Sequence, residues 1–209
     1  MSQAAKRFVA IAGNIGVGKS TLTGLLAQRL GWQPFYEAVD DNPYLADFYA
    51  DMSRWAFHSQ CFFLSHKMAL HQQMERSPEP AVLDRTIYED AEIFARNLYE
   101  QGHMAERDYQ VYSHLYGCIR ATLRPPDVLI ALTCSLRATK QRIKRRGRAM
   151  EQSISDDYLR RLGRQYERWF DSYDLSPIIR LDTTRLDYVE DMMALLELTG
   201  RLDQVLSPL

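Results

Sequence analysis

The chain has 209 residues, 46% of them hydrophobic, enough to bury one real core without disulfide or metal staples. With 26 Lys and Arg against 27 Asp and Glu, the formal net charge of −1 excludes a globally basic surface for nucleic acid, although a local cluster would still bind phosphates. Cys61, Cys118 and Cys134 lie far apart without a CxxC, and no long apolar segment precedes Phe8. A disulfide framework, a zinc site and a membrane span are therefore not expected, and a cytoplasmic, reducing location fits.

Short apolar runs alternate with long helical patterns, which predicts an α/β chain built from βαβ units around a five-stranded parallel sheet. In chain order the pattern predicts a strand at 8–12, a helix at 19–30, a strand near 34–36, a helix at 54–74 and a strand at 81–84. Helices follow at 88–100 and 107–123, then a strand at 127–132, helices at 136–145 and 155–173, a strand at 178–181 and a helix at 186–205. Pro and Gly punctuation around 77–80, at Gly102 and at Pro125 and Pro126 supports several of these breaks. No repeat or linker divides the chain, so residues 1–209 are expected to form a single domain.

The segment Gly13-Asn14-Ile15-Gly16-Val17-Gly18-Lys19-Ser20 matches GxxxxGK[ST], with an apolar strand before it and a helical run beginning at Thr21 after it. Such a loop turns backbone N–H groups toward a β-phosphate, sets Lys19 against the β- and γ-phosphates and offers the Ser20 hydroxyl to Mg²⁺. A nucleoside triphosphate, ATP by expectation, is thus the donor. No NKxD guanine-reading motif and no DxxG sensor occur, which sets a GTPase switch aside.

The acceptor side is less explicit. Glu37 follows the second strand, with Asp40 and Asp41 behind it, at the carboxyl edge where open α/β sheets bind ligands. A carboxylate there would accept the proton of an attacking hydroxyl, but composition alone favours a solvated acidic turn. Ala81-Val82-Leu83-Asp84-Arg85 is a buried strand ending in an acid and a base. Asp84 resembles a Walker B acid for Mg²⁺, and Arg85 would orient Glu37 or meet the transferring phosphate; a surface ion pair is the plain alternative. The stretch 142–148 carries five cations in seven residues around Gly147, so Arg142, Arg146 and Arg148 are expected in a lid over ATP, spanning about 142–153. Trp55, Phe57, Gln60, Phe63 and Lys67 recur at near-helical spacing. Gln60 among aromatics needs partners, and a nucleobase edge supplies both a donor and an acceptor.

On these segments, with Asn42-Pro43-Tyr44-Leu45, Phe48-Tyr49 and Arg54-Trp55-Ala56-Phe57, the chain resembles the deoxyribonucleoside kinases over nearly its whole length, and most closely the bacterial deoxyadenosine and deoxyguanosine kinases. The resemblance implies a P-loop kinase fold, a homodimer formed through helices, Glu37 as base on the 5′-hydroxyl with Arg85 as its partner, and Asp84 as a magnesium-site acid. It further implies that Tyr49 and Glu151 hold the 3′-hydroxyl, that Gln60 reads the base and that Phe94 stacks on it. Lys67 and Asp90 match positions where purine-accepting and deoxycytidine-accepting relatives pair an arginine with an aspartate near the base, and the reading leans toward purines. Ala38 departs from a proline common after the glutamate, and Asn42 from a tryptophan of some animal members. The alternatives are a nucleoside monophosphate kinase of thymidylate kinase type, whose acceptor phosphate Glu37 would repel, a pyrimidine-preferring deoxynucleoside kinase, and a noncatalytic nucleotide sensor, which would need no base.

Overall fold

Phe8–Gly13 is apolar at every position, as a strand covered on both faces must be, and it forms β1 near the middle of the sheet. The computed structural model describes residues 6–37, 41–148, 151–186 and 191–207. Gln33–Phe35 (β2), Ala81–Asp84 (β3), Val128–Thr133 (β4) and Ile178–Asp182 (β5) complete a five-stranded sheet in the order β2-β3-β1-β4-β5. Every pairing is parallel, with Ile11 opposite Asp84 on one side of β1 and opposite Ile130 on the other. Chain order reverses beside β1, so the crevice for ligands opens above the carboxyl ends of β1 and β3.

Alternation along β1 assigns its two faces. Val9 and Ile11 face Leu22 and Leu26 of α1 (Lys19–Leu30) and Leu195, Leu198 and Leu202 of α9 (Met192–Leu206). Phe8, Ala10 and Ala12 face the opposite layer, where α8 (Asp156–Ser172) contributes Tyr158, Leu162, Tyr166 and Phe170. A third apolar cluster joins α2 (Leu45–Ala50), α3 (Met52–Arg76) and α6 (Glu106–Arg120) beside the sheet. The Asp51 carboxylate accepts from Arg54 N–H and caps α3, while α7 (Leu136–Arg146) ends where Gly147 turns left-handed at φ 74°.

Three elements differ from the sequence pattern. The helix expected over 88–100 is α4 (Ile87–Glu89), a π-helical turn over Asp90–Ala95 and α5 (Arg96–Glu100). Six-residue α2 is too short to show a helical period and was not anticipated. The helix expected from 186 begins at Met192; residues 187–190, like Ala38 and Asp40 of the acidic turn and 149–150 of the lid, lie outside the described residues.

Ile130 has no exposed surface and packs between β1 and β5. Ile130→Ala is expected to lower the unfolding free energy by about 2–5 kcal/mol, read by urea denaturation.

Candidate active site

β1 delivers the chain into the glycine-rich loop with Gly13 at φ +152°, where an added Cβ would sit 2.6 Å from the Leu132 carbonyl oxygen. Gly16 is left-handed at φ +75°, and a Cβ there would meet Ile143 Cγ1 at 2.8 Å. Only glycine fits both places. The loop runs into the amino end of α1, whose first turn contains no acidic residue to oppose an anion. Asn14 Nδ2 donates to the Leu159 carbonyl at 2.9 Å and ties the loop to α8. Lys19 is buried, with Nζ donating to the Gly13 and Asn14 carbonyls at 2.9 and 3.1 Å. Burial first, then Arg85, lowers its pKa to about 8 against the opposing pull of Asp84, Glu89 and Glu37.

A cavity of about 400 Å³ lies over residues 16–22 and is bordered by Arg142, Arg145, Arg146 and Arg148. Arg142, expected in the lid, borders this cavity from a fixed setting. It sits inside α7, and its guanidinium donates to the Val17 carbonyl and Thr183 Oγ1, both at 2.9 Å, and to the Thr183 and Leu186 carbonyls. It clamps the phosphate loop to the end of β5. Arg146 and Arg148 lie at and beyond the helix end, and both pair with the buried Glu151 carboxylate.

A second cavity of about 300 Å³ shares Gly16, Lys19, Ser20, Arg146 and Arg148 with the first. Its walls bring together Glu37, Tyr49, Gln60, Asp84, Arg85, Asp90, Phe94 and Glu151, which are the sequence-derived acceptor residues apart from Lys67. The Glu37 carboxylate is gripped by Lys67 Nζ at 3.3 Å and Arg85 Nε at 3.6 Å. Burial pulls its pKa upward, but Arg85, Lys67 and Lys19 together outweigh that and hold it at about 2. The expected Lys67–Asp90 ion pair does not form: Lys67 reaches Glu37 instead. Asp90 is left with Oδ2 unpaired, and burial foremost raises its pKa to about 7, with Glu37 and Glu89 adding to the rise against Lys67 and Arg85. The wide π-helical turn carries both Asp90 and Phe94 onto the cavity wall.

Glu89 was not singled out from sequence, yet it organises the site. Fully buried, it accepts from Gly13 N–H at 3.2 Å, Thr86 N–H at 2.8 Å and the Tyr166 hydroxyl at 2.9 Å, and stands 3.8 Å from Arg85 Nε. Its signal was legible: Thr86-Ile87-Tyr88-Glu89 is a capping box. Arg85, held between Glu37 and Glu89, lies over the Phe94 ring at 4.5 Å and has a left-handed backbone at φ 66°.

Three residues lining this cavity carry a buried oxygen without a hydrogen-bond partner, Gln60 Oε1, Asp84 Oδ1 and Asp90 Oδ2, while Arg85 Nε meets Glu37 and Glu89 only at ion-pair distance. Buried polar groups are costly to leave unpaired, so the set reads as a surface shaped for a polar ligand. Ser20 Oγ donates to Asp84 Oδ2, while Oδ1 of the same carboxylate stays unpaired. A hydroxyl from the first turn of α1 and a carboxylate from the end of β3, side by side, fit a magnesium ion, which ordinarily takes one or two protein oxygens and fills the rest with phosphate and water.

The family model for deoxynucleoside kinases matches residues 9–206. The chain belongs to the deoxynucleoside kinase family. Among curated relatives it is 37% identical to a deoxyadenosine kinase of Lactobacillus acidophilus over 95% of each chain. It is 40% identical to a deoxyguanosine kinase of the same organism, over 87% of this chain and 82% of that one. A deoxyadenosine/deoxycytidine kinase of Bacillus subtilis is 39% identical over 88% of this chain and 85% of its own. The solved structure of a deoxyadenosine kinase from M. mycoides with bound dATP superposes with a TM-score of 0.82 at 29% identity, over 94% of this chain and 99% of that one. The protein is accordingly a nucleotide-binding transferase, a deoxynucleoside kinase on a P-loop scaffold.

Because the folded pKa of Glu37 is depressed, the stability its ionised form contributes is present above the ordinary glutamate range and lost as pH falls toward about 2. Glu37→Gln should therefore be less stable than the parent near neutrality, and the gap should narrow between about pH 5 and pH 2. Denaturant titrations across that range check the sign.

Proposed function

We propose that this kinase moves the γ-phosphate of ATP onto the 5′-hydroxyl of a deoxyribonucleoside, with deoxyadenosine or deoxyguanosine preferred, as a step of nucleotide salvage. The observation that carries the reading is that the Glu37 carboxylate, Lys19 and Ser20 line one cavity joining the phosphate loop to a base-sized pocket. Glu37 holds the hydroxyl in line with the γ-phosphorus. A carboxylate kept near 2 is a weak base at rest, so it orients the nucleophile first and takes its proton late, once attack has made the hydroxyl acidic. Arg85 fixes Glu37 and meets the transferring charge. Lys19 and the loop N–H groups of residues 13–21 hold the donor phosphates, and Arg146 and Arg148 close over them as part of the lid at about 142–153.

Ser20 and Asp84 would hold Mg²⁺, which would neutralise charge between the β- and γ-phosphates. Tyr49 and Glu151 would hold the 3′-hydroxyl; burial, then Glu151, pushes the Tyr49 phenol well above its usual range, so it stays a neutral donor. Phe94 would stack on the base while Gln60 and Asp90 meet its edge. The whole chain 1–209 would act as one domain, pairing into a homodimer through helices; Val111 and Leu115 on α6 are 53% and 43% exposed and suit such a contact. Its three free cysteines support a cytoplasmic setting.

The test is ATP-dependent phosphorylation of deoxyadenosine, deoxyguanosine, deoxycytidine and thymidine, with the monophosphates as controls. Turnover of a purine deoxynucleoside above thymidine, with inert monophosphates, is expected. Turnover of monophosphates alone would overturn the acceptor assignment and favour a nucleoside monophosphate kinase. Gln60→Ala should cut discrimination among the four bases by about tenfold or more, since a lost buried base contact costs about 1–3 kcal/mol; an unaltered ranking would contradict the base-reading role.

A further inference from the structure

Lys67 is 4% exposed, on the face of α3 that also carries Gln60 and His71, yet it does not line the acceptor cavity. It borders a separate cavity of about 170 Å³. Tyr36, Glu37 and Phe63 line both cavities and form the wall between them, and Lys67 stands behind that wall. An ammonium has three N–H donors. Lys67 Nζ has three oxygen partners: Glu37 Oε1 at 3.3 Å, the Asp84 carbonyl at 3.3 Å and the Arg85 carbonyl at 3.2 Å. No donor remains for a nucleobase.

The three oxygens belong to Glu37, Asp84 and Arg85, all of which line the acceptor cavity. Two of them are main-chain carbonyls at the end of β3, where Arg85 turns left-handed at φ 66°. A non-glycine residue in that region is strained and persists only where its surroundings hold it. Lys67 is the side chain that satisfies both carbonyls of that turn while gripping the neighbouring carboxylate. A planar guanidinium could not meet three convergent oxygens with one nitrogen, so lysine suits the place for a geometric reason.

We infer that Lys67 is a positioning residue for phosphoryl transfer, fixing Glu37 relative to the Asp84–Arg85 turn from behind the acceptor site, and takes no part in base selection. The inference rests on the proposed role of Glu37. It separates this chain's use of position 67 from a base-side Lys67–Asp90 pair, and it leaves Gln60 and Asp90 to meet the base without a cation between them.

The test is a double-mutant cycle of Lys67→Met and Glu37→Gln, with kcat and KM measured for deoxyadenosine, deoxyguanosine and deoxycytidine at saturating ATP. Lys67→Met should lower kcat by about 10- to 100-fold, the scale of a misplaced reacting group, with KM changed less than about threefold and the base ranking unchanged. In the Glu37→Gln background the same change should cost less than about threefold, because Lys67 acts through Glu37. A shifted base ranking with kcat preserved would overturn the inference in favour of base reading. Equal losses in both backgrounds would overturn it in favour of a general structural role. If Lys67→Met does not fold, Lys67→Gln, which keeps a donor and loses the charge, carries the same cycle. A parent enzyme that turns over no deoxynucleoside, or a Glu37→Gln single variant with an unchanged rate, would instead overturn the proposed function itself.

Discussion

The acceptor site depends on one buried ionic arrangement, the grip of Arg85 and Lys67 on Glu37 at the carboxyl edge of the sheet. Ion pairs taken out of water repay their desolvation only with good geometry and further hydrogen bonds, and removing one partner costs about 3–5 kcal/mol. Here the cations are held on other sides as well. Arg85 is steadied by Glu89 and by the face of Phe94, and Lys67 by two carbonyls. Glu89 in turn reaches Gly13, so Arg85 and the phosphate loop share a single carboxylate. The walls of both cavities are thereby tied into one network, as the in-line transfer proposed above would require.

That network is imperfectly satisfied. Gln60, Asp84 and Asp90, which line the acceptor cavity, each keep a buried side-chain oxygen without a hydrogen-bond partner, and Asp90 is buried against its own ionisation. The sheet beneath is ordinary by comparison, with β1 and β3 fully buried and every strand parallel. Buried polar atoms without a hydrogen bond also occur elsewhere, at Thr23, His71, Asn97, Tyr112 and Gln165, so what marks the crevice is that several of its own lining residues carry them beside the left-handed Arg85.

Much of this was legible in sequence, for unequal reasons. The phosphate loop was clear because only glycine can bring its backbone close to phosphate, and the apolar strands because a parallel sheet buried on both faces admits little else. Glu37 is ambiguous in sequence, since a solvated acidic turn and a site carboxylate share a composition; the two buried cations that only the fold brings near set the solvated turn aside. Helical spacing sets Lys67 on the face of α3 that carries Gln60, and the pairing with Asp90 rests on resemblance alone; in the fold its ammonium meets Glu37 and two main-chain carbonyls. Arg142 was read with its cationic neighbours, although its helical position commits it to carbonyls of the phosphate loop and β5. The π-helical turn at Asp90 has no periodic signature, and Glu89 was overlooked although its capping box stands in the sequence.

Single-turnover phosphoryl transfer by Glu37→Gln at saturating ATP and deoxynucleoside tests the central claim most directly. Removing the carboxylate while keeping its shape should slow transfer by about 100-fold or more and leave ATP binding unchanged. A transfer rate close to the parent's would contradict the account, since the grip of Arg85 and Lys67 would then be holding a residue the reaction does not use.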